Sequence, residues 1–246
     1  MVIRKITFTI ITFLCIFMFG NILFFPATWK LGWNKAHDAI IQKIIDSNKM
    51  ATVSSATVTK YSGHILVQFT HILPGSIWAT ILPLQLHPAI RKSYPHVHHI
   101  LGYIFTVAGI IMMFGVAMID RRNLYWFEND YPEIMDPLMW RLFLRYLNRC
   151  LLVWFVFTVL MAVYQARRKK LIAHESWIMR HAGSGIWVAL QRIFTMLLYR
   201  KGNGLMEMKR NFEFAYILSI VLCMGTAEVL IWHKNSKTKY EKVKRF

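Results

Sequence analysis

The sequence predicts an all-α integral membrane helical bundle, with about six transmembrane helices and a four-helix core. Three observations predict it. The 246 residues are 56% hydrophobic and only 17% charged, against roughly 25% charged in soluble domains. Mean hydropathy is positive, at +0.37. Apolar runs near the roughly 20 residues needed to cross a bilayer recur along the chain, separated by short basic clusters. The formal charge of +18 therefore reads as orientation signals between spans and not as affinity for nucleic acid.

Ile6 to Phe25, preceded by Arg4 and Lys5, is the first span. It exceeds the roughly 7–15 residues of a signal-peptide core and no A-x-A site follows, so it reads as a retained helix. Pro26 to Tyr61 is polar and mixed. In it Trp29 and Trp33 suit a membrane interface, and Ile40, Ile41, Ile44 and Ile45 give His37 to Asn48 the spacing of a short surface helix. Val53 to Thr59 reads as a loop. His64 to Leu86 is the second span, and Pro74 within it predicts a kink. Ile100 to Ile119 is the third, with Gly102 and Gly109 on one face for close helix contact. Asn123 to Trp140, acidic and aromatic, reads as an interfacial segment. Leu144 to Gln165, Trp177 to Tyr199 (interrupted by Arg192) and Phe212 to Trp232 (carrying Glu228) are the remaining spans. His233 to Phe246 is a solvated basic tail. Three units follow: residues 1–60 as anchor and outer loop, 61–200 as the four-helix core, and 201–246 as the sixth helix and tail.

Six spans put both termini on one side. Arg4, Lys5, Arg91, Lys92, Arg167 to Lys170, Arg180 and the basic tail fall there, opposed by Glu175 and Glu241. The other side has nearly as many basic residues, but nine acids accompany them. This bias predicts cytoplasmic termini, with basic loops and tail touching anionic lipid. Cys15, Cys150 and Cys223 lie in apolar runs with no metal-ligand spacing, which argues against a disulfide framework or zinc finger.

Polar groups inside lipid are costly unless they find partners, so they mark the candidate sites. A rise of about 1.5 Å per residue converts position into depth. Gln85, His87, His98, His99, His174, Arg180, His181 and Glu228 fall in the cytoplasmic half, and His64, His71 and Arg192 in the outer half. Two functional readings follow. In the first, one b-type haem takes a histidine from each of two helices: His98 or His99 at the head of the third span, and His174 or His181 at the head of the fifth. His98 and His174 are the preferred pair, with Arg180 as counter-charge to a propionate. His64 and His71 share a helix, so a second, outer haem is not expected. In the second, His71, Gln85 and Arg192 line the polar cavity of a transporter or assembly partner. The plainer alternatives are interfacial histidines, a zinc site needing a third ligand beside His98 and His174, and an Arg192 that snorkels or ties two helices. No nucleophile–base pair, phosphate-binding glycine loop or paired carboxylates are evident, so no enzymatic reaction is assigned.

At these residues the chain resembles the multipass membrane family catalogued as domain of unknown function 2306. The resemblance runs through Phe69, His71, Pro74, Trp78, Pro83, Leu84 and Gln85, then Pro95, His98, Leu101 and Gly102, then His174, Trp177, Arg180 and Arg192. It covers about Tyr61 to Leu198. The chain departs from the family pattern at His99, Tyr103, Ile178 and Met179, which bears on loop charge and not on fold. The resemblance implies no particular activity. The helix-borne histidines are also similar in style to ascorbate-reducible b-type membrane cytochromes, a likeness of architecture only. Finally, Lys242-Val-Lys-Arg-Phe matches the K-x-K-x-x pattern of retrieval signals, which implies endoplasmic reticulum residence in a eukaryotic host and otherwise the plasma membrane.

Overall fold

The computed structural model describes residues 2–24, 35–46, 60–61, 63–131, 133–134, 136–200 and 204–243, and every regular element among them is helical. These are α1 (Val2–Phe24), α2 (Lys35–Asp46), α3 (Ile65–Leu86), α4 (Pro88–Ser93), α5 (Pro95–Arg121), α6 (Trp126–Asn129), α7 (Leu138–Arg167), α8 (Leu171–Leu198) and α9 (Leu205–Val243). The loop expected over Val53 to Thr59 and the last residues of the tail lie outside the described residues. Helix α2 forms where the isoleucine spacing predicts it.

Among the described residues, four stretches are long and apolar enough to cross a membrane: Ile65–Leu86, Pro95–Glu128, Leu138–Arg167 and Leu205–Ser236. The chain is a membrane protein whose apolar helices suit contact with lipid. Helix α1 has a shorter apolar stretch, Ile6–Gly20. Helix α8 is 28 residues long, about 42 Å at 1.5 Å per residue, but its His, Glu and Arg residues keep it out of the apolar set. The fold accommodates them by burying α8. It packs against α7 on one side and α9 on another and also meets α1. Helix α1 packs on α3, α3 on α5 and α5 on α7, which closes a ring of α1, α3, α5, α7 and α8 with α9 docked on α8.

Helix α3 answers the proline in its interior with a wide turn. Gln68–Ile72 is π-helical, and Pro74 follows at the start of the next α-helical turn. The wide turn absorbs the backbone donor that proline lacks and relieves the clash of its ring with the preceding turn. The bulge presses on α5 at Gly115. A Cβ there would sit 2.5 Å from the His71 backbone nitrogen and 2.7 Å from the Thr70 carbonyl carbon, so only glycine fits. Gly109 faces Phe155, Trp78 and His181, and Gly102 faces the Gln85 amide, so both expected contact glycines lie at helix junctions. Gly183 abuts the Cys223 carbonyl and Ala227 of α9.

Two apolar cores result. The first surrounds Trp78, Leu82, Phe105 and Phe155, and Leu14, Cys15 and Met18 of α1 close it. The second lies at the end opposite the termini, around Leu124 to Phe127, Tyr131, Leu144, Phe212 and Tyr216. The segment from Asn123 to Trp140 thus departs from the interfacial expectation, because its aromatic rings turn inward. Ion pairs explain this. Asp130 meets Lys60 at 2.9 Å, Asp136 meets Lys209 at 2.6 Å, Asp120 meets Arg149 at 2.9 Å, and Glu128 pairs with Arg145. With Glu128, Asp130 and Asp136 paired, the segment folds under as a plug.

Gly115→Ala is expected to destabilise the purified protein by about 1–3 kcal/mol, because the bulge cannot retreat without strain. Gly225→Ala, where a Cβ meets nothing within 4 Å, is the control. Equal thermal unfolding of the two variants in detergent would show that the bulge does not bear on α5.

Candidate functional site

Each of the four core helices contributes one ring to a central layer: Trp78 from α3, Phe105 from α5, Phe155 from α7 and His181 from α8. The Trp78 indole Nε1–H donates to His181 Nε2 at 2.9 Å. An indole only donates, so Nε2 carries the lone pair and Nδ1 carries the hydrogen. Nδ1–H is shared between the Phe155 carbonyl, 3.1 Å away, and Thr158 Oγ1, 3.2 Å away. Thr158 also donates to the Phe155 carbonyl at 2.9 Å. Phe155 and Phe105 lie on the imidazole with ring centroids 4.1 and 5.3 Å away. His181 is fully buried, neutral, and satisfied at both nitrogens.

This corrects one expectation. Reading the fifth span from Trp177 puts His181 at its head beside His174. The helix starts at Leu171, so His181 sits nearly three turns inside and has no nitrogen left for a ligand.

Seven residues along each helix, toward the end carrying the termini, the same four faces come round again. Trp78 is succeeded by Gln85, Phe105 by His98, Phe155 by Ala162 and His181 by His174. The backbone relation repeats as well. His174 Nδ1 lies 2.8 Å from the Ala162 carbonyl, as His181 Nδ1 faces that of Phe155. A carbonyl only accepts, so His174 Nδ1 is the donor, and in the neutral ring that tautomer leaves the lone pair on Nε2. The second layer has therefore exchanged Trp for Gln, one Phe for His and the other for Ala. It is smaller in side-chain volume and more polar than the first.

Within it, Gln85 Nε2 donates to the His98 carbonyl at 2.8 Å, which ties the end of α3 to the first turn of α5. His98 Nδ1 is buried and has no hydrogen-bond partner among the described residues. His98 lies within electrostatic reach of His174, His99 and Arg91. The structure thus brings together His98, His174 and Gln85. Arg180 is placed otherwise: its guanidinium grips Glu228 of α9 at 2.6 and 2.8 Å and lies over the Trp177 ring. His71 faces α5, with Nδ1 3.4 Å from the Met112 carbonyl. Arg192 lies over Phe212 of α9, 5.9 Å from the ring centroid. His71, Gln85 and Arg192 thus stand against different neighbours.

Two clefts of about 520 and 310 Å³ lie elsewhere. One follows Tyr146, Arg149, Cys150 and Trp154 along α7, and the other runs between Pro74 and Ile77 of α3 and Tyr103 to Ile111 of α5. Among the described residues no group of three or more His, Cys, Asp or Glu is placed to hold a metal ion, so the zinc alternative lacks its third ligand there. No protein family, curated protein or solved structure matches the chain, and the site is read from its own geometry.

Removing the acceptor by His181→Leu should cost about 1–3 kcal/mol, because the Trp78 N–H is left buried without a partner. Trp78→Phe removes the donor. A double-mutant cycle read by unfolding in detergent should then show a coupling of about 0.5–3 kcal/mol. Strict additivity would mean that the two side chains do not depend on each other.

Proposed function

We propose that this membrane protein holds a single b-type haem between α5 and α8, with His98 and His174 as its axial ligands. One observation carries the reading: the layer of Gln85, His98, Ala162 and His174 repeats the Trp78 layer with bulk removed and imidazoles added. Axial ligands must come from two helices, and these two do. A ligating histidine commonly donates its other nitrogen to a carbonyl, which fixes the ring and the tautomer; His174 does so to Ala162 and keeps Nε2 for a metal. Arg91, and not Arg180, is the basic group near His98 suited to a propionate, since Arg180 is engaged by Glu228. The Trp78–Phe105–Phe155 layer closes the inner side of the site against water. When bound, the haem would supply one-electron transfer. The opposite half offers His64 and His71 on a single helix, which favours one haem over a pair.

The alternative of a transporter or assembly partner with a cavity at His71, Gln85 and Arg192 gains less support, because those residues stand against separate neighbours. The charge bias favours termini in the cytoplasm, which would place the two-histidine layer near that face, with exposed Arg91, Lys92 and Arg167 to Lys170 against anionic lipid. Membership of the domain of unknown function 2306 family and retrieval to the endoplasmic reticulum rest on the sequence motifs.

Purified protein should show a Soret band and a positive pyridine haemochrome. His98→Ala and His174→Ala should each lose it, while His71→Ala keeps it. A colourless preparation from haem-replete cells would overturn the proposal. If the tail is a retrieval signal, a tag masking Phe246 should move the protein outward in a eukaryotic host, and unchanged distribution would count against it.

A further inference from the structure

We propose that the end of the bundle opposite the termini holds a second, separate site, which binds a small oxyanion at Arg192. It does not depend on the haem reading.

Arg192 is half-buried on α8, and among the described residues no carboxylate pairs with it. Its printed neighbour is the Phe212 ring at 5.9 Å. A cation held inside a helical bundle at membrane depth ordinarily finds a counter-ion or lines a route for one. Two further donors belong to rings packed on the same Phe212. Trp126 and Tyr131, only 7% and 2% exposed, have an indole N–H and a phenol O–H without an acceptor among the described residues. Both rings sit on Phe212, with centroids 4.9 and 6.5 Å away, and the Tyr131 hydroxyl is within electrostatic reach of Arg192. Buried donors in native proteins are rarely left unpaired, and these two share the Phe212 ring with a guanidinium that has no ion-pair partner among the described residues.

Two of the acids nearby are held in ion pairs, Asp130 by Lys60 and Asp136 by Lys209. Glu213, which also faces Tyr131, bonds Trp140 and lies close to Lys209 and Arg210, and its Oε1 is buried without a hydrogen bond among the described residues. None of the three forms an ion pair with Arg192. A guanidinium, an indole N–H and a phenol O–H can only donate to an ionised partner, and the guanidinium fork matches two oxygens of one group. That combination selects a carboxylate or a phosphate. The oxyanion has two possible sources, a soluble anion or the phosphate of a lipid headgroup.

The full chain in phosphatidylcholine nanodiscs would be titrated with succinate and with inorganic phosphate at constant ionic strength, reading the unfolding temperature. A saturable rise is expected in the wild type and in His98→Ala, and none in Arg192→Gln. Tyr131→Phe, which keeps the ring, should weaken the midpoint by about fivefold, as for one lost hydrogen bond. It serves in place of Arg192→Gln should that variant not fold. If neither soluble anion acts but phosphatidylglycerol discs stabilise the wild type and not Arg192→Gln, the ligand is a headgroup. Equal responses of wild type and both variants, or no response in either arm, would overturn the proposal.

Discussion

The hydrogen bonds of His181 are the constraint on which the bundle's register depends. In lipid the apolar faces of helices gain nothing by leaving solvent, so packing and interhelical hydrogen bonds must choose the alignment. His181 makes that choice for three helices. It takes the indole proton of Trp78 on α3 and gives its own to the backbone of α7. Sliding α8 by one residue would leave an indole N–H and an imidazole N–H without partners in a medium that supplies none. The close approaches at Gly109 and Gly185, each against Trp78 and Phe155, let the four rings meet at one level.

A different physics fixes the far end. There Asp120 at the end of α5 and the acids of the segment after it pair with Arg149 and with Lys60, Arg145 and Lys209, which come from three other parts of the chain. Buried pairs such as Asp130–Lys60 and Asp136–Lys209 add little net stability, because desolvation offsets the attraction, yet losing one partner is costly. Their role is to specify which segment closes which end. They also account for the charge asymmetry of the sequence. Lys60, Arg145, Arg149 and Lys209 at this end are answered by carboxylates, while Arg91, Lys92 and the 167–170 run at the other end remain exposed.

The long helices were legible because apolar length is a local property. The second core was not. The aromatic residues from Tyr125 to Tyr131 look the same whether they face headgroups or an interior, and the deciding lysines lie 70 or more residues away in sequence. At the candidate site, counting depth was enough to set His98 and His174 at one level. It failed for His181, because taking the fifth span to begin at Trp177 hides six residues of helix. Trp78 as its partner, 103 residues distant, leaves no trace in local pattern. The seven-residue spacing of His174 and His181 is the one signal that points to both layers.

That spacing also explains why two histidines on one helix meet different fates. Both donate Nδ1–H to a carbonyl of α7, at residues 155 and 162, so the backbone treats them alike. The difference lies in what α3 and α5 present at each level. Beside His181 they place Trp78 and Phe105, which cap Nε2 and fill the space. Beside His174 they place Gln85, whose amide is occupied by the His98 carbonyl, and His98, whose Nδ1 has no hydrogen-bond partner among the described residues. The first histidine is bonded at both nitrogens, and the second is bonded through Nδ1 to Ala162. Satisfying every polar atom in one layer ties the four helices together, and that fixed frame lets the next layer present imidazoles from two helices at one level.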